Sequence, residues 1–149
     1  MFYLVDNDIA LLELETAAEC SDKVRAACIF ETEPFDGQMT TVTGWGDLEW
    51  KGSKSKKLMK VHVPIVRRNQ CNNWYNGDIT KNMICAGLEA GGKDSCQRDS
   101  GGPLVLKGSN QLVGIVSWGD VCAAKKRPGV YTNVANYVTW IRNKCDNCF

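Results

Sequence analysis

The sequence predicts an all-β domain, a barrel or a sandwich, that ends in one α-helix. Short β-type runs recur along the 149-residue chain, glycines separate them, and convincing helical periodicity is confined to residues 133–145. Many short strands joined by turns are typical of barrels and sandwiches. An apolar content of 44% suffices for a core, so one domain of ordinary size is expected.

The first predicted strands differ in pattern. DIALLEL, residues 8–14, is an apolar run of strand length, and QMTTVTGWG, residues 38–46, is β-branched and ends in glycines. LMKVHVPIV, residues 58–66, alternates. Alternation predicts one face formed by Met59, Val61, Val63 and Ile65, and an opposite face that carries Lys60 and His62.

The second half predicts a hairpin, a strand and the helix. Residues 102–119 form two apolar runs around a turn at 107–110, and PGVYTNV, residues 128–134, is a further short strand. In NVANYVTWIRNKC, residues 133–145, apolar side chains recur at spacings of four, three and four. This spacing predicts a helix with one buried face, formed by Val134, Val138, Ile141 and Cys145.

The net charge and the cysteine content limit the classes of function that this chain can have. The net charge is +1, and no apolar run approaches the roughly 20 residues of a membrane span, so neither nucleic acid nor a membrane is expected as a partner. Eight scattered cysteines indicate disulfides and secretion. The opening MFYLVDNDIALL has no features of a signal peptide, so we expect that the start of the protein is missing.

For two further segments we prefer a structural interpretation to a functional one. The pair Cys145 and Cys148 has C-x-x-C spacing, but no second ligand pair or βαβ setting accompanies it, which favours structural disulfides over a redox or zinc site. The lysine-rich stretch 51–60 is expected to be a solvated loop. A sulfated-glycan or nucleic-acid patch is the alternative, and the lack of interleaved aromatics weakens the nucleic-acid version.

Ser100 is the candidate nucleophile, in the stretch DSCQRDSGGPLV. A serine hydroxyl needs a base to take its proton and donors for the oxyanion that forms. Gly101 and Gly102 permit a tight turn that presents Ser100, and the backbone N–H groups from Arg98 to Ser100 can form an anion nest. Taken alone, the same residues could form a plain turn.

Six short motifs occur together and in order: DNDIALLEL, TGWG, MICAG, DSCQRDSGGPLV, IVSWG and RPGVYTNV. This set resembles the chymotrypsin-like (trypsin family) serine proteases, from Asp6 to the terminal helix. The resemblance implies a double β-barrel, of which this chain would hold the second barrel and the end of the first. The expected division is residues 1–30 for the end of the first barrel and the interdomain segment, 31–133 for the second barrel, and 134–149 for the helix and tail.

The resemblance implies roles for the catalytic residues. Ser100 matches the nucleophile, and Asp8 matches the buried aspartate that orients the catalytic histidine, with Asp6 as the competing candidate. The backbone N–H groups of Arg98 and Ser100 would form the oxyanion hole. Asp99 matches the aspartate that pairs with the freed N-terminal amine of the mature enzyme, a terminus that this chain lacks.

The resemblance also implies a substrate pocket. Asp94 matches its floor, and family members with aspartate there cleave after Arg or Lys because a buried carboxylate favours a cationic partner. Ser117, Trp118 and Gly119 match the strand that pairs with the substrate backbone. For Trp118 a purely core role is the alternative. Gly129 matches a wall glycine that leaves room for a long side chain.

The cysteines match the family in part. Cys71–Cys85 and Cys96–Cys122 resemble family disulfides, and a third common bridge is absent because Thr40 and Leu106 occupy its ends. Cys28 resembles a cysteine that ties the catalytic domain to an upstream chain. We also expect a bridge from Cys20 to Cys145 at the terminal helix.

Two departures from the family pattern stand out. The triad order is histidine, aspartate, serine, yet no histidine precedes Asp8; the single histidine, His62, is expected on an outer strand surface. Arg98 stands where the family usually has glycine, so its side chain would crowd the leaving-group side and alter substrate or inhibitor preference.

These observations predict a secreted trypsin-like endopeptidase that cleaves after Arg or Lys through an acyl-enzyme, with no cofactor and no metal. The isolated chain is expected to be inactive because its base is missing. Expected partners are protein or peptide substrates, protein protease inhibitors and an upstream chain bound through Cys28. The alternative is an inactive homologue that acts as a binding or regulatory protein.

Overall fold

The computed structural model describes residues 5–145. Within this range the chain forms seven strands, two short α-helices and one 3-10 turn. Their bounds are β1 (Cys28–Ile29), β2 (Met39–Gly44), β3 (Met59–Val66), α1 (Arg68–Trp74), β4 (Met83–Ala86), β5 (Pro103–Leu106), β6 (Gln111–Trp118), β7 (Gly129–Asn133), the 3-10 turn (Val134–Tyr137) and α2 (Val138–Lys144). The predicted all-β class with a C-terminal helix is confirmed.

Strands β2 to β7 close into a barrel rather than a sandwich. All pairs are antiparallel: β2 lies between β3 and β5, β4 lies between β3 and β7, and β6 lies between β5 and β7. Each of the six strands therefore has two neighbours, and closure removes the unpaired edges that an open sheet would expose. The two-residue strand β1 adds parallel to β6.

The barrel core follows the alternation of the strands. On β3, Val63 and Ile65 are buried, and on β2, Thr40 and Val42 are buried. The buried Thr40 hydroxyl donates to the carbonyl of Val63 at 2.6 Å, so the core contains no unpaired hydroxyl at this point. The central cluster consists of Val42, Val63, Ile65, Ile84, Ala86, Leu104, Val113, Val116 and Tyr131.

The outer face of β3 carries His62 as predicted. Its Nδ1 lies 2.9 Å from the Oγ1 atom of Thr41, its register partner on β2, and the ring is half-buried. Lys60 is exposed on the same strand, but Met59, predicted to face inward, is 48% exposed at the strand end.

Three parts of the fold differ from the prediction. Residues 8–14 form no strand, because none of the strands in the described range pairs with them, and Leu12 is 89% exposed. Helix α1 and strand β4 are present although neither was predicted. The seven residues of α1, RNQCNNW, bury only Cys71, so they carry no apolar periodicity from which a helix could be read.

The C-terminal α-helix is shorter than predicted. The helical region begins as the 3-10 turn and becomes α-helical at Val138. Its predicted apolar face is buried at Val134, Val138 and Ile141, and Cys145 is half-buried. Each α-helix in the described range has seven residues, and none is long and apolar enough to cross a membrane.

Candidate active site

Ser100 lies at the tip of a tight turn between the Cys96 region and β5. The turn is fixed by backbone hydrogen bonds: Asp99 N–H donates to Cys96, and Gly102 N–H donates to Asp99, at 3.1 and 2.9 Å. Gly101 has a φ of 79°, a left-handed value that favours glycine, and its N–H donates to Val116 at 2.8 Å. The turn is thereby attached to β6 and presents Ser100 to solvent.

The backbone around Ser100 provides free donors. Among residues 5–145, the N–H groups of Arg98 and Ser100 have no hydrogen-bond acceptor. The Ser100 hydroxyl likewise has no partner within the described range. Unpaired N–H groups next to an exposed hydroxyl can stabilise negative charge that develops on a substrate carbonyl.

Asp8 is connected to the same region through β6. Its Oδ2 atom accepts a hydrogen bond from the Ser117 hydroxyl at 2.6 Å, and its backbone carbonyl accepts one from the Thr132 hydroxyl at 2.6 Å. The competing Asp6 instead accepts bonds from Thr80 and Asn82, at 2.7 and 3.2 Å. Asp8 is therefore the carboxylate bonded to the Ser117 strand, although it is exposed here rather than buried.

A pocket of about 200 Å³ opens beside Ser100. It contains every residue expected to contact substrate: Asp94, Ser117, Trp118, Gly119 and Gly129 line it together with Ser100. His62 is not among its lining residues.

Asp94 forms the polar end of this pocket. Burial raises the pKa of its carboxyl group from 3.8 to about 6, and hydrogen bonds from the backbone of Ala123, Ser95 and Gly129 act in the opposite direction. The Ser95 and Ala123 N–H groups donate to the two carboxylate oxygens at 2.8 and 3.0 Å. These two hydrogen bonds fix the position of the carboxylate. It has no ion-pair partner among the described residues.

Close approach explains the glycine at position 129. A Cβ atom there would lie 2.6 Å from Asp94 Oδ1 and 2.9 Å from the Tyr131 hydroxyl, distances that real Cβ contacts essentially never show. Gly129 thus allows the backbone to pass directly over the pocket floor. At Gly119, at the end of β6, a Cβ atom would meet nothing within 4 Å.

Trp118 lines the pocket and also packs against the body of the protein. Its ring meets Tyr75 edge-on, with centroids 5.1 Å apart, and it packs against the cluster around Cys71 and Cys85. Its Nε1–H is buried and has no acceptor within residues 5–145. The side chain therefore combines the alternative core role with a position in the pocket lining.

Asp99 points away from the pocket, toward the TGWG loop. Its Oδ1 accepts from Gly46 N–H at 2.7 Å and its Oδ2 accepts from Cys96 N–H at 3.0 Å. Side chains at Gly44 or Gly46 would collide with this carboxylate. Asp99 also lines a second cavity of about 210 Å³ on this side of the turn. Two amide donors hold the carboxylate, so it is hydrogen-bonded without an amine partner.

Two disulfides brace these elements. Cys71–Cys85 joins α1 to β4, and Cys96–Cys122 joins two segments that both line the pocket. Thr40 and Leu106 are register partners on β2 and β5. The expected Cys20–Cys145 bridge is wrong, because Cys20 is a free, exposed thiol. Cys28 is also free and exposed.

Asp47 is a charged residue at this site that sequence reasoning missed. Its carboxylate forms an ion pair with the guanidinium of Arg98, and its side chain is 3% exposed. Arg98 has a φ of 72°, a left-handed conformation that its side chain disfavours. The sequence did show that arginine replaces the usual glycine at position 98. No local pattern links that position to Asp47, however, because the two residues are 51 positions apart.

The comparisons with known proteins agree with this geometry. The family model described as Trypsin matches residues 2–141. A trypsin of Xenopus laevis is 46% identical over 140 residues, which are 93% of this chain and 57% of that protein. A trypsin of Sus scrofa is 45% identical over 139 residues, or 93% of this chain and 59% of that protein.

Human serine protease 1 is 44% identical over 140 residues, again 93% of this chain and 56% of the relative. The chain thus spans about half the length of the curated relatives that it matches. A closed antiparallel barrel, a short terminal helix and these matches lead to one conclusion. The chain belongs to the trypsin family of serine proteases and has the chymotrypsin-like fold.

Proposed function

We propose that this chain is the nucleophile-bearing part of a secreted trypsin-like endopeptidase that cleaves peptide bonds after Arg or Lys. The observation that supports the proposal is that one pocket is lined by both Ser100 and Asp94, and that the half-buried Asp94 carboxylate has no ion-pair partner among the described residues. A guanidinium or ammonium group inserted there would supply the charge that Asp94 lacks among the described residues.

The proposed mechanism is acyl transfer to Ser100. A histidine from sequence outside this chain takes the hydroxyl proton, and Asp8, held by Ser117, orients that histidine and stabilises its cation. The N–H groups of Arg98 and Ser100 receive the oxyanion. The histidine then protonates the leaving amine, and water hydrolyses the acyl-enzyme.

Asp99 has a proposed role in activation. The cavity of about 210 Å³ that it lines is a suitable place for the freed N-terminal amine of a longer, processed protein. An ammonium group there would neutralise the Asp99 carboxylate and add to its two amide bonds. We further propose secretion, to which the two disulfides are suited, and an upstream chain attached at the exposed Cys28.

The decisive experiment compares this chain with the longer protein that contains it, on an arginine ester substrate. We expect turnover from the longer protein, its loss by several powers of ten in Ser100→Ala, and no turnover from the 149-residue chain. Ser109→Ala, which removes an exposed turn hydroxyl, is the matched control.

The outcomes separate the possibilities. A longer protein that binds arginine esters without turnover would contradict the proposal and support a binding role instead. Turnover by the isolated chain that Ser100→Ala removes would show that the base lies within these 149 residues.

A further inference from the structure

The turn that carries Ser100 and the loop at residues 44–47 are joined at several points. Gly46 N–H donates to the Asp99 carboxylate at 2.7 Å, and Asp47 N–H donates to the Gln97 carbonyl at 2.9 Å. The ion pair between Asp47 and Arg98 is the remaining connection. All of these bonds belong to this chain and none requires an N-terminal amine.

The two side chains of this ion pair differ strongly in their exposure to solvent. The Asp47 side chain is 3% exposed, whereas the Arg98 side chain is 59% exposed. A carboxylate so deeply buried is costly to leave without a cation, and Arg98 is its one ion-pair partner among the described residues. The backbone of Asp47 is itself fixed by its N–H bond to the Gln97 carbonyl and by an isolated antiparallel β-bridge with Lys54.

Arg98 is the residue in this turn that most needs support. Its φ of 72° is a conformation that glycine adopts freely and that an arginine side chain opposes. Such backbone strain persists only where surrounding contacts hold it. The buried carboxylate is the contact that holds the Arg98 side chain in this place.

We propose that Asp47 is a positioning residue for the oxyanion turn: its buried carboxylate holds Arg98 in the left-handed conformation and so keeps the N–H groups of Arg98 and Ser100 in place. The conformational part of this proposal stands on the contacts above. The catalytic consequence rests on the proposed function.

Amide hydrogen exchange on the full 149-residue chain tests the conformational part. The relevant amides are those of Asp47 and Asp99, whose hydrogen bonds close the loop and the turn. Asp47→Asn keeps the side-chain shape but removes the charge, and losing a charge-assisted bond should speed exchange at both amides about tenfold. Arg98→Gly leaves the buried Asp47 carboxylate without its cation, so the added Asp47→Asn change should not speed exchange in that background.

The control is Glu33→Gln, which removes the charge of another ion pair, with Arg68, away from the turn. It should leave exchange at Asp47 and Asp99 unchanged. The proposal is overturned if Asp47→Asn has no effect in the Arg98 background, or if its effect is the same in the Arg98→Gly background.

The longer, catalytically complete protein tests the consequence. There Asp47→Asn should lower kcat about tenfold with little change in KM for an arginine ester, because the Asp94 pocket is not altered, and Arg98→Gly should restore kcat in the double variant. Equal losses in both backgrounds would overturn the positioning role. If the longer protein has no turnover at all, the proposed function fails, and the exchange cycle still decides the inference.

Discussion

At the scale of single residues, Asp94 is a half-buried carboxylate that has no ion-pair partner among the described residues. Its carboxylate is held by two backbone N–H groups, yet burial outweighs them and raises its pKa to about 6. A group intended only to stabilise the fold would be expected to have a partner charge. The protein instead carries an ionised carboxylate at neutral pH that favours a cation.

This shift predicts how stability depends on pH. The unfolded pKa is 3.8 and the folded pKa is about 6, so the native state binds the additional proton between these values. The contribution of Asp94 to stability is therefore full below pH 4 and is lost as the pH rises through 6. We expect the free energy of unfolding of the wild type, relative to Asp94→Asn, to fall by at most about 3 kcal/mol across this range.

Urea unfolding at pH values from 4 to 8 measures this difference. Asp22→Asn provides a control, because it removes the charge of a fully exposed carboxylate that lies outside the pocket. A relative stability that rises with pH would mean that the hydrogen bonds to Asp94 outweigh its burial.

Two glycines of the same pocket make a matched pair. Gly129→Ala should lower the free energy of unfolding by about 1–3 kcal/mol, because the new methyl group would meet the Asp94 carboxylate and the Tyr131 hydroxyl. Gly119→Ala places the same methyl group in open space and should change stability by less than about 0.5 kcal/mol. Equal effects in urea unfolding would show that the pocket wall can move away from a side chain at 129.

At the scale of elements, the strands with strong local patterns were predictable. Strands β2, β3, β5, β6 and β7 all lie within segments that were predicted as strands, β2 from β-branched content, β3 from alternation, and β5 and β6 as two runs around a turn. Their register, and therefore barrel closure, depends on contacts between distant residues that no local pattern shows. The residues of the site divide in the same way. The family resemblance implied the residues that line the pocket, whereas the ion pair between Asp47 and Arg98 is a tertiary contact that no local pattern shows.

Helix α1 illustrates the opposite case, an element that local pattern could not predict. It has seven residues, no side-chain cap and one buried residue, Cys71, and isolated helices of this length are unstable. Its position depends on the disulfide to Cys85 and on the cluster that contains Tyr75 and Ile79.

Removing that disulfide should therefore cost more than removing a free thiol. The Cys71→Ala, Cys85→Ala double variant should lose about 3 kcal/mol in the free energy of unfolding, as expected for a closed loop of this size. Cys20→Ala, at an exposed free cysteine, should lose nothing measurable. If urea unfolding gives equal values, the apolar cluster alone holds α1.

At the scale of the whole molecule, the segment before the barrel, residues 5–28, is mostly exposed to solvent. Asp6, Asn7 and Asp8 are hydrogen-bonded to the barrel and its helical end, and Ile9 packs against the apolar cluster at the C-terminal helix. Every residue from 10 to 28 is exposed. The segment nevertheless contains the apolar run around Leu12 and Leu14. In the longer protein proposed above, the preceding barrel would cover these leucines.

This surface predicts that the isolated chain self-associates, because contiguous exposed apolar side chains favour contacts between molecules. We expect Leu12→Glu with Leu14→Glu to shift the chain toward monomer in sedimentation velocity, in a Cys20→Ser, Cys28→Ser background that prevents intermolecular disulfides. Ala17→Glu with Ala18→Glu adds the same charge to the same exposed segment but keeps the leucines, so it should remain associated. A monomeric parent chain would contradict the prediction, and equal dissociation in both variants would show that charge repulsion rather than loss of the leucines controls association.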